Sequence, residues 1–209
     1  MNDNNQIYFI TSNYNWKENN EKIKVYDLKG NKIKEINDID EPNKRICFID
    51  SYYDNNLSKN FILIGNWNYV KSYDYNKNEL YYKYCDNDYN DHYSIIINND
   101  KNFVKLIESS CDGNIRIWNF HSGELLNKIK VCNEWICGIC LWNNEYLFVC
   151  CKDKNIRLIE LNKGIIVQEI KSHNYGVLTI KKIFIPKYGL CLISQGRFND
   201  QIKLWIIQK

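Results

Sequence analysis

The chain has 209 residues, 25% of them charged and 44% hydrophobic, with a formal net charge of +3. That balance suits a globular protein with a sizeable core, and the interspersed acidic and basic residues form no basic stripe of the kind that tracks a phosphate backbone, so nucleic acid is not the expected ligand. No apolar run approaches the roughly 18 residues needed to cross a bilayer, and the start, Met1-Asn2-Asp3-Asn4-Asn5, lacks the basic and apolar regions of a secretory leader. The expected location is cytoplasmic, or more broadly intracellular including the nucleus, with the nine cysteines as reduced thiols.

In chain order, a first strand-like run at residues 7–11 leads to Ile23-Lys24-Val25-Tyr26-Asp27, which reads apolar, basic, apolar, aromatic, acidic. The pattern returns as Val70-Lys71-Ser72-Tyr73-Asp74, Ile115-Arg116-Ile117-Trp118-Asn119, Ile156-Arg157-Leu158-Ile159-Glu160 and Ile202-Lys203-Leu204-Trp205-Ile206, with starts 47, 45, 41 and 46 residues apart. Period-two alternation predicts strands with a buried face. Five residues past the aromatic position stand Asn31, Asn78, Gly123 and Gly164, types that tolerate the positive φ of a tight hairpin. Strand-like runs follow at 32–36, 80–84, 125–129 and 165–170, and others precede the repeated segments at 7–11, 61–65, 104–109, 146–151 and 190–194. In repeats two to five one more run comes first: Ile46 and Ile49, residues 94–97, Ile136 and Ile139, Val177 and Ile180.

Each unit therefore reads as four antiparallel strands, a to d, with no helix between them. Such a unit of about 45 residues, repeated, is the mark of a propeller blade. The predicted fold is all-β: one propeller domain of about five four-stranded antiparallel blades, with units near 1–38, 39–87, 88–131, 132–171 and 172–209. About 18 strands are expected, three in the first unit, four in each middle unit and three in the last. Because the first unit lacks strand a and the last lacks strand d, two readings stay open. One is an open, truncated or incomplete propeller whose terminal blades are covered by self-association or by a partner. The other is a closed five-bladed ring with three-stranded end blades.

The third unit, Glu108-Ser109-Ser110-Cys111-Asp112-Gly113-Asn114-Ile115-Arg116-Ile117-Trp118-Asn119, resembles the WD (tryptophan–aspartate) repeat, in which a small-residue strand b passes through an Asp-Gly turn into a strand c ending in Trp-Asp. The fifth unit resembles it too, with Ser172-His173 four residues before Val177 and Ile202 to Trp205 as strand c. The resemblance implies a structural hydrogen-bond network in that unit among His173, Ser194, Asp200 or Asn199, and Trp205. In unit three it implies Asp112 and Trp118 with Ser109 or Ser110, and in unit four Asp153. The dipeptide itself reads Tyr-Asp twice, Trp-Asn, Ile-Glu and Trp-Ile, and Cys132 stands at the histidine position of unit four.

The resemblance also implies a non-catalytic scaffold or adaptor that binds protein or peptide partners through the b–c and d–a loops of one rim. Those loops fall near 12–21, 37–44, 66–69, 86–91, 131–135, 171–176 and 195–200. Aromatic residues and arginine most often anchor interfaces, which selects Trp16, Trp67, Tyr89, Trp135, Tyr175, Arg197 and Phe198, with Tyr14 beside them. Packing down onto a neighbouring blade is the competing role, above all for Trp135, which leads straight into strand a. The basic residues Lys24, Lys71, Arg116, Lys203 and Arg157 are expected on the strand face opposite the aromatics, their stems covering the neighbouring blade.

Enzyme chemistry has little support: the histidines at 92, 121 and 173 fall in separate units, and no nucleophile elbow, phosphate loop or HExxH pattern is present. A glycan-binding or glycan-processing propeller is the alternative from another class, and processing would need two inward carboxylates at a defined separation. No cofactor is expected. Cys137 and Cys140 have the spacing of half a zinc site, yet positions three apart in a strand face opposite sides, so these cysteines read as small core residues rather than metal ligands.

Overall fold

The structure, a computed structural model, describes residues 2–3, 6–15, 20–37, 46–66, 68–86, 91–99, 103–198 and 200–206. Among them every regular element is a strand, in five antiparallel sheets. The first holds β1 (Asn2–Asp3), β2 (Gln6–Asn15), β3 (Asn20–Asp27) and β4 (Lys32–Asn37); the second β5 (Ile46–Asp54), β6 (Lys59–Asn66), β7 (Val70–Asp74) and β8 (Glu79–Tyr84). The third holds β9 (His92–Asn99), β10 (Val104–Ser110), β11 (Asn114–Asn119) and β12 (Leu125–Lys130), the fourth β13 (Ile136–Leu141), β14 (Tyr146–Cys151), β15 (Asn155–Glu160) and β16 (Ile165–Lys171), and the fifth β17 (Val177–Ile185), β18 (Gly189–Gly196) and β19 (Ile202–Ile206). The chain divides into two compact units, Met1–His92 and Tyr93–Lys209.

Nineteen strands are described where the pattern predicts 18. The extra one is β1, which pairs with β2 through Asn2↔Ile7 and Asp3↔Gln6 and so takes the place of a strand a in the first sheet. Two residues are too few to show an alternation. The loop expected at 12–21 is also mostly strand: β2 and β3 stay paired from Ser12↔Ile23 out to Asn15↔Asn20, so Tyr14 lies within β2.

The c–d hairpins explain the Asp or Asn that closes the first three repeated segments. Asp27 accepts the backbone N–H of Lys29 and Asn31, Asp74 those of Asn76 and Lys77, and Asn119 those of His121 and Ser122, at 2.8–3.2 Å. A short side chain bonding the backbone two residues on is the usual way Asp and Asn nucleate a turn. Asn78, Gly123 and Gly164 take the positive φ their positions require, whereas in the first hairpin Gly30 takes it at +84° in place of Asn31. With glycine beside it, asparagine gives up the left-handed position, because only glycine carries no Cβ penalty there.

Within Tyr93–Lys209, the third and fourth sheets share a core of Ile107, Ile115, Ile117 and Ile129 against Ile139, Leu147, Val149 and Ile159, all at most 5% exposed. The fourth and fifth share Phe148, Cys150 and Ile156 against Val177, Ile180 and Leu192. Each such side chain contributes about 1.5–3 kcal/mol by leaving water. The far face of the fifth sheet differs. Ile202 and Leu204 occupy the strand-c positions of Ile115 and Ile117, yet are 65% and 43% exposed where the latter are 0% and 4%. Within Met1–His92, Ile23, Val25 and Ile36 of the first sheet pack on Ile62, Ile64 and Tyr73 of the second.

Candidate functional site

The rim of the second unit is built from hairpin tips laced together by backbone hydrogen bonds. The b–c turn at Gly113 accepts the N–H groups of Val131 and Cys132 in the loop leading to β13; the equivalent turn at Lys154 accepts those of Ser172 and His173 in the loop leading to β17. Gly113 has φ +74°, and a Cβ there would lie 2.1 Å from the Cys132 carbonyl oxygen, so glycine is needed for conformation and for space. Lys154 holds the same turn at φ 77° without being glycine, which costs about 1–2 kcal/mol.

Polar residues beneath the rim are consumed by structure. In the fifth sheet, His173 Nδ1 lies 3.3 Å from Asp200 Oδ2 and its Nε2 lies 2.8 Å from Ser194 Oγ; the Trp205 indole N–H donates to the same oxygen at 2.8 Å. Asp200 can only accept, so Nδ1 carries the proton, Ser194 donates its O–H to Nε2, and Ser194 accepts from Trp205. Every group in that chain is satisfied with a neutral imidazole. Burial lowers the His173 pKa, against the pull of Asp200. Asn199 lies outside the described residues.

The third sheet solves the same problem with charge. Arg116, fully buried, donates to Asp112 Oδ2 at 2.6 Å and to Ser110 Oγ at 2.8 Å, and Ser110 in turn donates to Asp112. Burial opposes ionisation of Asp112, but the bonds from Arg116, Ser110 and Asn114 outweigh it and hold its carboxyl well below the usual range. Ser110, not Ser109, is the hydroxyl that reaches Asp112. By register the counterpart of Ser194 is Glu108: Glu108 pairs with Arg116 as Ser194 pairs with Lys203. In the fourth sheet Arg157 reaches Asp153 at 2.6 Å and Glu169 at 2.6 Å, and Cys132, at the histidine position, meets the Cys151 thiol.

The basic series therefore does not lie opposite the aromatics. Residues two apart share a strand face, so Arg116 sits beside Trp118 and Lys203 beside Trp205. Lys71, Arg116 and Arg157 are buried rather than spread over a surface, and Lys203 donates to the Ser172 carbonyl. The cysteine alternation is also altered. A register shift between Ile136 and Gly138 turns Cys137 and Cys140 toward one core, between the fourth and fifth sheets. Among the described residues no group of three or more His, Cys, Asp or Glu could hold a metal ion.

Of the seven rim residues named from sequence, Trp16, Trp67 and Tyr89 lie outside the described residues. The other four are brought together. Trp135 precedes β13, is 37% exposed, stacks on Tyr93 (centroids 5.6 Å apart) and carries the Lys152 ammonium 4.3 Å from its ring centre. Packing and exposure thus coexist in this residue. Tyr175 and Phe198, 50% and 78% exposed, meet edge to face at 5.8 Å. Arg197, half-buried, donates its backbone N–H to the Gly176 carbonyl, and a Cβ on Gly176 would lie 2.8 Å from the Lys152 carbonyl oxygen. Lys152, which sequence reasoning missed, sits in the b–c turn beside Asp153, where its type gave no contrast with other surface lysines.

At the junction of the fourth and fifth sheets lies a pocket of about 500 Å³, lined by Trp142, Phe148, Leu158, Ile170, Leu192 and Trp205 among others, with no carboxylate in its described lining. That lining lacks the pair of acids glycoside hydrolysis requires. No helix among the described residues is long and apolar enough to cross a membrane.

No protein-family model matches the chain. ASTRA-associated protein 1 of Candida glabrata is 34% identical over 103 residues, which is 45% of this chain and 22% of that protein. A chain in the crystal structure of a mitotic checkpoint complex superposes with a TM-score of 0.70 at 16% identity, over 88% of this chain and 54% of that one. The chain thus matches about a fifth of the length of one relative and about half of the other.

Proposed function

From a chain with the fold of the WD-repeat β-propellers, we propose a non-catalytic scaffold that binds protein partners through the rim formed by Trp135, Lys152, Tyr175, Arg197 and Phe198. One observation carries this reading: Trp135, Tyr175 and Phe198 keep aromatic surface exposed beside Lys152 and Arg197, while the turn carboxylates Asp112, Asp153 and Asp200 beneath them are held in internal bonds. Rigid strands carrying variable loops let such a fold separate stability from recognition. The protein named for its association with ASTRA and the chain within a checkpoint complex both belong to protein assemblies, in keeping with a role among protein partners inside the cell. Affinity capture with the wild-type chain and with Tyr175→Ala and Arg197→Ala, read by quantitative mass spectrometry, tests it. The expected result is loss of specific partners from both variants while their melting temperatures hold. Retention of every partner by folded variants would remove this rim from consideration.

A further inference from the structure

We propose that this rim selects acidic peptide segments, carboxylate side chains alternating with apolar ones; the proposal rests on the scaffold reading above and specifies its partner. Asp112, Asp153 and Asp200, the carboxylates of the three turns, are each held by Arg116, Arg157, or His173 with the N–H groups of Asn174 and Tyr175. Lys152 and Arg197 make no ion pair among the described residues. Lys154 beside them is exposed, as are the carboxylates Glu134 and Glu169, of which Glu169 is already engaged by Arg157. Lys152 and Arg197 act on the same point from two sheets: burial raises the pKa of the Cys137 thiol, and the nearby charges of Arg197 and Lys152 work against it.

The cations are also positioned. Lys152 rests on the Trp135 ring, which restricts a side chain that otherwise loses much rotamer freedom on binding. Tyr175 and Phe198 present an apolar surface beside Arg197, so an extended peptide finds cation and apolar contacts in alternation. A single-stranded nucleic acid fits less well. It needs open ring faces for stacking, and here Trp135 already carries Tyr93 and Lys152, while Tyr175 and Phe198 engage each other edge to face.

The test is fluorescence anisotropy with the full chain and three labelled probes of equal length: a peptide of alternating glutamate and leucine, its lysine–leucine counterpart, and a single-stranded RNA. The acidic peptide is expected to bind tightest, to weaken as salt rises, and to lose about tenfold or more in affinity with Lys152→Glu or Arg197→Glu, the size of one charge contact of about 1.4 kcal/mol. Lys152→Met, which keeps the stem over Trp135, should weaken binding without moving the melting temperature. Equal binding of the two peptides, preference for RNA, or unchanged affinity in both charge-reversed variants would overturn the proposal. Partners captured through Tyr175 but indifferent to these charge reversals would leave the scaffold reading standing and remove only the acidic preference.

Discussion

Replacing Ser194 with alanine removes the centre of a four-residue hydrogen-bond chain. Ser194 is 1% exposed, and its oxygen serves both His173 Nε2 and Trp205 Nε1 at 2.8 Å. Two bonds worth about 1 kcal/mol each net are lost, and two ring nitrogens are left without their partner, so Ser194→Ala should cost about 2–3 kcal/mol. For a chain of this length that corresponds to a fall in melting temperature of roughly 5–10 °C. Urea unfolding followed by tryptophan fluorescence measures it directly. Because the residues act as a connected set, Ser194→Ala and His173→Phe should couple by about 1 kcal/mol or more rather than add. A loss below about 0.5 kcal/mol, or additive single and double variants, would show that the bonds do not act as a network.

Arg116→Met should destabilise by about 3–5 kcal/mol, because it strands Asp112 and the buried Glu108 carboxylate without the guanidinium between them; a neutral effect in urea unfolding would contradict the charge pairing. Lys154→Gly relieves a left-handed backbone and should raise stability by up to about 1 kcal/mol, glycine's larger unfolded-state entropy offsetting part of the gain. A lower melting temperature would mean that the turn is not strained. The depressed pKa of His173 means that folding favours its neutral form: the contribution is present above the unfolded value of about 6.5 and is lost as pH falls through the folded value. Wild type should therefore lose more stability between neutral and mildly acidic pH than His173→Asn does, and parallel pH profiles would refute the assignment.

The repeated strand, its hairpin turn and the rim loops were legible because each rests on a local rule: alternation, an Asx turn, a residue tolerant of positive φ. What escaped depends on partners distant in sequence or on local exceptions. Two-residue β1 becomes visible only through its pairing with β2. Glu108 occupies the position of Ser194, a substitution tolerable only because Arg116 lies opposite it in the register. Lys154 replaces glycine in the turn at a cost that other contacts offset. Cys137 and Cys140 were assigned to opposite faces because a register shift within β13 cannot be read from spacing. Trp135, Tyr175, Arg197 and Phe198 were named singly from residue type; that they converge across two sheets with Lys152 follows from the lacing of the turns.

Site-specific crosslinking distinguishes binding at this rim from binding elsewhere on the sheet. A photoreactive phenylalanine analogue at Tyr175 samples the rim, and the same group at Phe184, 66% exposed at the β17–β18 end, samples the other side of the same sheet. In cell extract, the probe at Tyr175 is expected to capture defined protein partners that the probe at Phe184 does not. Capture of the same partners from Phe184 alone, or from both positions equally, would contradict the assignment of binding to this rim.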